Sequence, residues 1–302
     1  MDKGIRAEGP LLAGFLALAI ACAAVLAACG TGGSDGDGAN GNAGFRQTEK
    51  TERDTGPSGS GGGAQAKWQA LAGGPEQASR PQLQLNNHIL QQKFPSVLVL
   101  RGPENARRAA LTFDDGPDRR FTPAVLDVLK KHRTRATFFL IGARVKALPE
   151  VARRIAEEGH VVGNHSYWHP KLWEESEERI RWEVTETDRV IREVAGYAPK
   201  LFRPPYGGMN DDIVQLLGDL GCSIVGWSVD SLDWKQIPAD EVESNVLGNV
   251  HPGAIILFHS AGDWSQDLSG MVEALDRIIP KLKGQGIELV TIPELIGVPA
   301  AK

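Results

Sequence analysis

Ala109-Ala110-Leu111-Thr112-Phe113-Asp114-Asp115-Gly116-Pro117 is the stretch that decides the fold. Residues 109 to 113 make a short buried-strand run, and the Asp-Asp-Gly-Pro that follows ends it. Thr122-Pro123 then reads as an N-cap with proline at N1, opening a helix that carries Val125, Leu126, Val128 and Leu129 at core spacing. That is one βα unit, and it recurs along the chain. Further strands are expected at Ala136–Ile141, His160–Gly163, Lys200–Phe202, Ser223–Val229, Ala254–Phe258 and Ile287–Thr291. Helices are expected at Pro149–Glu158, about Glu174–Val194, Asp211–Leu220, from about Ala239, and about Met271–Lys283.

Seven strands separated mostly by helices predict a parallel α/β sheet, either a barrel or a doubly wound sheet. The strand ends choose between them. Asp114, His165, Arg203, Asp230 with Asp233, and His259 each follow a different strand at its C-terminal edge. A doubly wound sheet gathers its site at one switch point, whereas a (β/α) barrel collects residues from many strand ends on one face. The sequence therefore predicts a (β/α) barrel, and about seven strands make it a distorted or incomplete one.

The rest of the chain has a second composition. Of its 302 residues 41% are hydrophobic and 24% charged, an ordinary globular balance, yet 14 of the 35 glycines crowd into residues 29 to 80. Lys3 and Arg6 precede an apolar run from Leu11 to Val25, too short and alanine-rich for a bilayer span, which reads as a signal peptide over residues 1–28. It closes on Leu26-Ala27-Ala28-Cys29, which resembles a bacterial lipobox, with Cys29 as the lipidation site; the bland alternative is an uncleaved anchor with a chance cysteine. Residues 29–85 are then expected to form a polar linker, with a reach of roughly 40 Å, to the α/β domain over residues 86–302. The expected location is extracytoplasmic, lipid-anchored to the cell membrane. Of the three cysteines only Cys222 would remain unmodified, so the mature chain has no internal disulfide. A net charge of -5 and the lack of a polybasic arm argue against a nucleic-acid partner, and no obligate protein partner is evident.

Chemistry is concentrated in five short segments. In Asp114-Asp115, strand alternation aims the two carboxylates differently, so one is suited to a cation and the other to substrate. His165-Ser166-Tyr167-Trp168-His169 spaces two imidazoles so that one turn or tight loop presents both to one ion. In Arg203-Pro204-Pro205-Tyr206 both prolines lack an N–H, which makes the Tyr206 amide the first backbone donor after the arginine, of a kind that stabilises an oxyanion. Asp230-Ser231-Leu232-Asp233-Trp234 and Leu257-Phe258-His259 complete the set. Each has a plainer reading, as a turn, a cap or a packed structural histidine. Together those readings require five coincidences on one face.

These five segments, in this order, resemble the motifs of the polysaccharide deacetylases, carbohydrate esterase family four, with a NodB-type domain spanning about residues 105 to 298. The resemblance implies a distorted (β/α) barrel, a divalent metal that is usually Zn2+ (Co2+, Mn2+ or Ni2+ being the other candidates), and hydrolysis of N-acetyl groups on a GlcNAc-containing glycan. It implies Asp115, His165 and His169 as metal ligands and Asp114 as general base, oriented by Arg203. The Tyr206 amide would stabilise the oxyanion, and His259, tuned by Asp233, would be the general acid. Trp234 would shape the groove and Leu257 would line the acetyl pocket. The chemistry agrees, since an amide needs a polarised carbonyl, an activated water and a proton for its amine.

Three rivals are weighed against this reading. An esterase acting on an acetylated plant glycan such as xylan shares these motifs; a glycan-binding protein that has lost catalysis would lack one of the key residues; a transport receptor predicts two lobes. Trp264 reads equally well as a sugar platform or as a loop anchor. The sequence leaves open peptidoglycan GlcNAc, peptidoglycan MurNAc, chitin oligomers and poly-GlcNAc.

Overall fold

The computed structural model describes residues 86–105, 107–263 and 265–302. The signal-peptide segment, the linker over 29–85, Cys29 and Trp264 lie outside the described residues. Among the described residues there are nine strands: β1 (Leu98–Val99), β2 (Arg108–Asp114), β3 (Thr137–Leu140), β4 (Val161–Asn164), β5 (Leu201–Phe202), β6 (Ser223–Val225), β7 (Val229–Asp230), β8 (Ala254–His259) and β9 (Glu288–Leu289). They join in the order β1-β6-β5-β4-β3-β2-β8-β7, with β9 also beside β2, and every pairing between them is parallel. Only Gly226-Trp227-Ser228 separates β6 from β7, so the two ends of this ladder meet in one stretch of chain and the sheet curls into an incomplete barrel. The distorted parallel barrel expected from the sequence is what the chain forms.

Period-two alternation on β2, β3 and β8 sorts the core from the site. Leu111, Phe113, Phe138, Leu140, Ile256 and Phe258 face outward, packing with Val125 and Leu126 of the Phe121–Lys131 helix and with Leu275 and Ile278 of the Ser269–Gly284 helix. Phe113 stacks on Phe138 and Phe258 at 5.0 and 5.5 Å. The opposite parity joins a second cluster, with Ala110, Phe139 and Ile255 packed against Ile292 and Leu295. In register, Ala110 pairs with Ile255, Thr112 with Leu257 and Asp114 with His259. One inward row therefore runs from an apolar floor up to a carboxylate beside an imidazole.

Local differences from the expected elements have physical causes. The helix that follows β2 starts at Phe121, before Thr122, because the Asp118 carboxylate accepts the amides of Arg120, Phe121 and Thr122 at 3.1, 2.7 and 2.9 Å. The Thr122 hydroxyl instead donates to the Ser260 carbonyl at 2.9 Å, tying that helix to the end of β8. The long charged helix is Glu177–Ala195, since Leu172–Glu174 form a separate 3-10 turn and Ser176 is the N-cap, accepting from the Arg179 amide. The strand expected over Ser223–Val229 breaks where the chain leaves β1 for β8: the Gly226 amide donates to Val99 and the Ser228 amide to Ile255. The two-residue β1 and the Gly142–Ala147 helix were too short to signal themselves.

Candidate active site

Asp114 is the last residue of β2 and, by its parity, points inward. Its Oδ1 accepts from Arg203 Nη1 at 2.7 Å, and its Oδ2 lies 3.8 Å from His165 Nε2. Arg203 is fully buried. Three more of its donors are placed: Nε on the Val225 carbonyl, Nη1 also on Thr112 Oγ1 and Nη2 on the Gly226 carbonyl, all between 2.9 and 3.0 Å. The guanidinium also lies 4.2 Å over the Phe139 ring. Burial lowers the Arg203 pKa and the neighbouring Asp114 raises it, with burial the larger. So rigid an arginine leaves its partner carboxylate one orientation.

Asp115 turns away from its neighbour through a left-handed φ of 69°. His165 and His169 come to it from the loop after β4, and one ligand atom from each of the three residues lies within 4.8 Å of the others. The Asp115 Oδ1 atom is 3.4 Å from His165 Nε2 and 3.3 Å from His169 Nε2. It is buried and has no hydrogen-bond partner, a costly arrangement for a carboxylate oxygen unless a cation sits beside it. Ligand atoms about 2.0 to 2.1 Å from a tetrahedral ion are themselves roughly 3.3 to 3.4 Å apart, so the spacing fits a small divalent metal. His165 Nδ1 is 2.7 Å from the Arg203 carbonyl, which can only accept, so the proton sits there and the Nε2 lone pair faces Asp115. Burial lowers His169 to a pKa of about 4 and keeps it neutral at physiological pH. Burial would raise Asp115, but His169 and His165 hold its carboxyl well below the usual range.

The loop carrying the two histidines is not helical. Ser166 and His169 both have positive φ, and hydrogen bonds hold them there: Asn164 Oδ1 accepts the Ser166 amide at 2.8 Å and Ser166 Oγ accepts the His169 amide at 3.0 Å. Glu183, fully buried on the long helix, accepts the Tyr167 and Trp168 amides through Oε2 at 2.6 and 2.7 Å and pairs through Oε1 with Arg179. Trp168, 60% exposed, is thus an indole on a fixed backbone at the rim of the site.

On the opposite side Asp233, itself buried, grips His259 twice: its Oδ2 accepts the His259 amide at 2.7 Å and its Oδ1 lies 2.8 Å from the ring Nδ1. Burial favours the neutral ring, but the Asp233 carboxylate, with Asp115 and Asp114 adding to it, outweighs that and the His259 pKa rises to about 9. Tyr206 sits in the Pro205–Gly207 turn with φ 62°, its ring 4.6 Å from that of His169. Asp115, Ser166, His169, Tyr206 and Leu232 account for five of the seven non-glycine positive-φ residues described, so backbone strain concentrates here.

A cavity of about 510 Å³ opens over this floor and is lined by Asp114, Asp115, His165, His169, Tyr206, Trp234, Leu257 and His259. Arg203 and Asp233 stand behind those residues as their partners. The structure therefore brings together every described residue expected at the site. Thr112, Glu183, Asn164 and the wall residues Trp227 and Arg144 were missed. Thr112 was legible, being the residue two before Asp114 and so on the same strand face.

A family profile described as polysaccharide deacetylase matches residues 101–225. A peptidoglycan-N-acetylglucosamine deacetylase of Bacillus cereus is 47% identical over 194 residues, 64% of this chain and 70% of that protein. The peptidoglycan-N-acetylglucosamine deacetylase PgdA of Listeria monocytogenes is 41% identical over 191 residues, 63% of this chain but only 39% of that protein. Among solved structures, a peptidoglycan N-acetylglucosamine deacetylase in complex with a naphthalenyl N-oxidanyl-benzamide superposes with a TM-score of 0.67 at 45% identity. That match covers 68% of this chain and 95% of the other.

Proposed function

This chain belongs to the polysaccharide deacetylase family, carbohydrate esterase family four, and from that premise we propose that it hydrolyses N-acetyl groups on a GlcNAc-containing polysaccharide of the cell envelope, releasing acetate and leaving a free sugar amine. The observation that carries the reading is the meeting, around one cavity, of the Asp115, His165 and His169 set with Asp114 on one side and His259 on the other. A divalent cation, Zn2+ by the donor set, would polarise the acetamide carbonyl and acidify a water there.

The chain's own groups supply the remaining steps. Asp114, held by Arg203, accepts the proton of the attacking water. The Tyr206 amide donates to the oxygen on which negative charge develops. His259, kept protonated by Asp233, gives its proton to the departing amine, which is otherwise a poor leaving group. Leu257 packs against the acetyl methyl, and Trp234 and the exposed Trp168 offer apolar faces to pyranose rings. The names of the relatives favour peptidoglycan GlcNAc as substrate. Acetate release from peptidoglycan, chitooligosaccharide, poly-GlcNAc and acetylated xylan tests the reading: release from the first three and not from xylan is expected. Release from xylan alone makes it an ester hydrolase, and release from none overturns the reading.

The pH profile reports the acid. His259 must be protonated to act, so activity falls as pH rises through its pKa. Asp233→Asn removes the largest of the carboxylate contributions that raise it, ahead of those of Asp115 and Asp114, and burial then weighs more heavily toward the neutral ring. The alkaline limb is therefore expected to move from near pH 9 toward or below the ordinary 6.5. A profile that does not move assigns the acid to another group.

The chain is also proposed to be held at the membrane through lipid on Cys29. No helix of the described residues is long and apolar enough to cross a membrane. Cys29→Ala is expected to move the protein from the membrane fraction to the soluble one. Unchanged fractionation and processing contradict lipidation.

A further inference from the structure

We propose that Asn87, on the helix that precedes the barrel, is a positioning residue for the turn that presents the Tyr206 amide. This rests on the deacetylase reading above. The helix over residues 86–93 lies before the stretch that the family profile matches. Leu90 anchors it in the cluster formed by Leu98, Leu100 and Ile213, and Lys93 pairs with Asp211 at 2.5 Å. Asn87 is three residues before Leu90, and so on the same helical face. It is buried, with 7% exposure, and its Nδ2 donates to the Gly207 carbonyl at 3.0 Å, across 120 residues of sequence.

The turn that receives this bond is conformationally expensive. Tyr206 and Gly207 are both left-handed, with φ 62° and 68°. A Cβ on Gly207 would stand 2.5 Å from the Trp227 ring, and one on Gly208 would stand 2.0 Å from the Trp173 ring, so the two indoles press on the turn from either side. Within it the Gly207 amide donates to the Pro204 carbonyl at 3.0 Å. Asn87 adds a tie from a separate element, and that tie fixes the peptide just beyond Tyr206. A left-handed tyrosine has a lower-energy extended alternative, and relaxing to it would swing its amide away from the carbonyl oxygen. Asn87 Oδ1 is buried without a partner. A residue chosen only for packing has no reason to bury an unsatisfied amide oxygen; one chosen to place a donor on Gly207 does. Asn87, Gly207 and Trp227 also line a second cavity of about 250 Å³ that shares Pro204, Gly207 and Trp227 with the catalytic one. The turn is thus a thin wall between two spaces, pressed by the two indoles and tied from a separate element by Asn87.

The test is steady-state kinetics on full-length protein with a substrate that the parent accepts, alongside metal content and Tm. Asn87→Ala removes the donor, and Asn87→Asp replaces it with an oxygen of the same shape that repels the carbonyl. Both are expected to lower kcat about 10- to 100-fold with KM and metal content unchanged, because a misaimed donor is felt in the transition state. Ile89→Ser, at an exposed position of the same helix, is the control and should match the parent. If both Asn87 variants lose Tm but keep kcat per metal-loaded molecule, the residue only packs and the inference is wrong. If Asn87→Ala fails to fold, the isosteric Asn87→Asp decides alone. A parent that releases no acetate defeats the deacetylase reading itself, and this inference with it, whereas an active parent with an unaffected kcat in Asn87→Asp defeats only the inference.

Discussion

Asp114→Asn is expected to keep its metal and lose about 10²- to 10⁴-fold in kcat, the usual worth of a general base. An amide is nearly the size of the carboxylate, so the cavity floor keeps its shape, and the metal set uses Asp115, not Asp114. What disappears is the acceptor for the water's proton. A second effect comes from Arg203, which is fully buried and has Asp114 as its anionic partner at 2.7 Å. Leaving that guanidinium beside a neutral amide costs on the order of 3 kcal/mol or more. For a domain of this size that lowers Tm by several degrees, at roughly 2 to 4 °C per kcal/mol. Elemental analysis, calorimetry and acetate release on one preparation separate the three quantities. Full turnover in a metal-loaded Asp114→Asn enzyme would remove Asp114 as the base.

The barrel was legible from alternation along strands, and so were the positions of Asp114, Leu257 and His259, whereas the roles of the loop residues His165, His169, Arg203, Tyr206 and Asp233 were expected from the resemblance of their motifs. Asp114 and His259 are C-terminal residues of β2 and β8, in register across the sheet, and a parallel barrel has no other place for such residues than its open end. Residues that act through another side chain were less legible. Nothing local marks Glu183, in a helix rich in charge, as the one acid whose carboxylate turns inward to hold the amides of Tyr167 and Trp168. The break between β6 and β7 was hidden for a related reason. Ser223 to Val229 read as one strand, and competition between β1 and β8 for its backbone divides it. Asn87 was invisible because its partner is 120 residues away and its role depends on the left-handed turn at Tyr206.

Asp115→Asn is expected to do the reverse of Asp114→Asn: the protein should fold, fail to retain a divalent metal through dialysis, and release almost no acetate until metal is added in large excess. Changing groups that only orient a ligand typically costs 10- to 100-fold in affinity, and a ligand itself should cost at least about that much. The geometry says why no neighbour can substitute. Asp115 Oδ1 lies 3.4 Å from His165 Nε2 and 3.3 Å from His169 Nε2, whereas the nearest Asp114 oxygen is 3.8 Å from His165 and its other oxygen is bonded to Arg203. An asparagine could present its oxygen in the same place, but without the negative charge, leaving two neutral imidazoles as the remaining protein ligands. Folding should suffer less than in Asp114→Asn, because no buried cation loses its counterion when the metal is absent. Metal content after dialysis and titration of acetate release with added Zn2+ measure the effect. If Asp115→Asn retains its metal while Asp114→Asn loses it, the two aspartates have each other's roles; if both remain metal-loaded and active, the open end of β2 is not the catalytic floor.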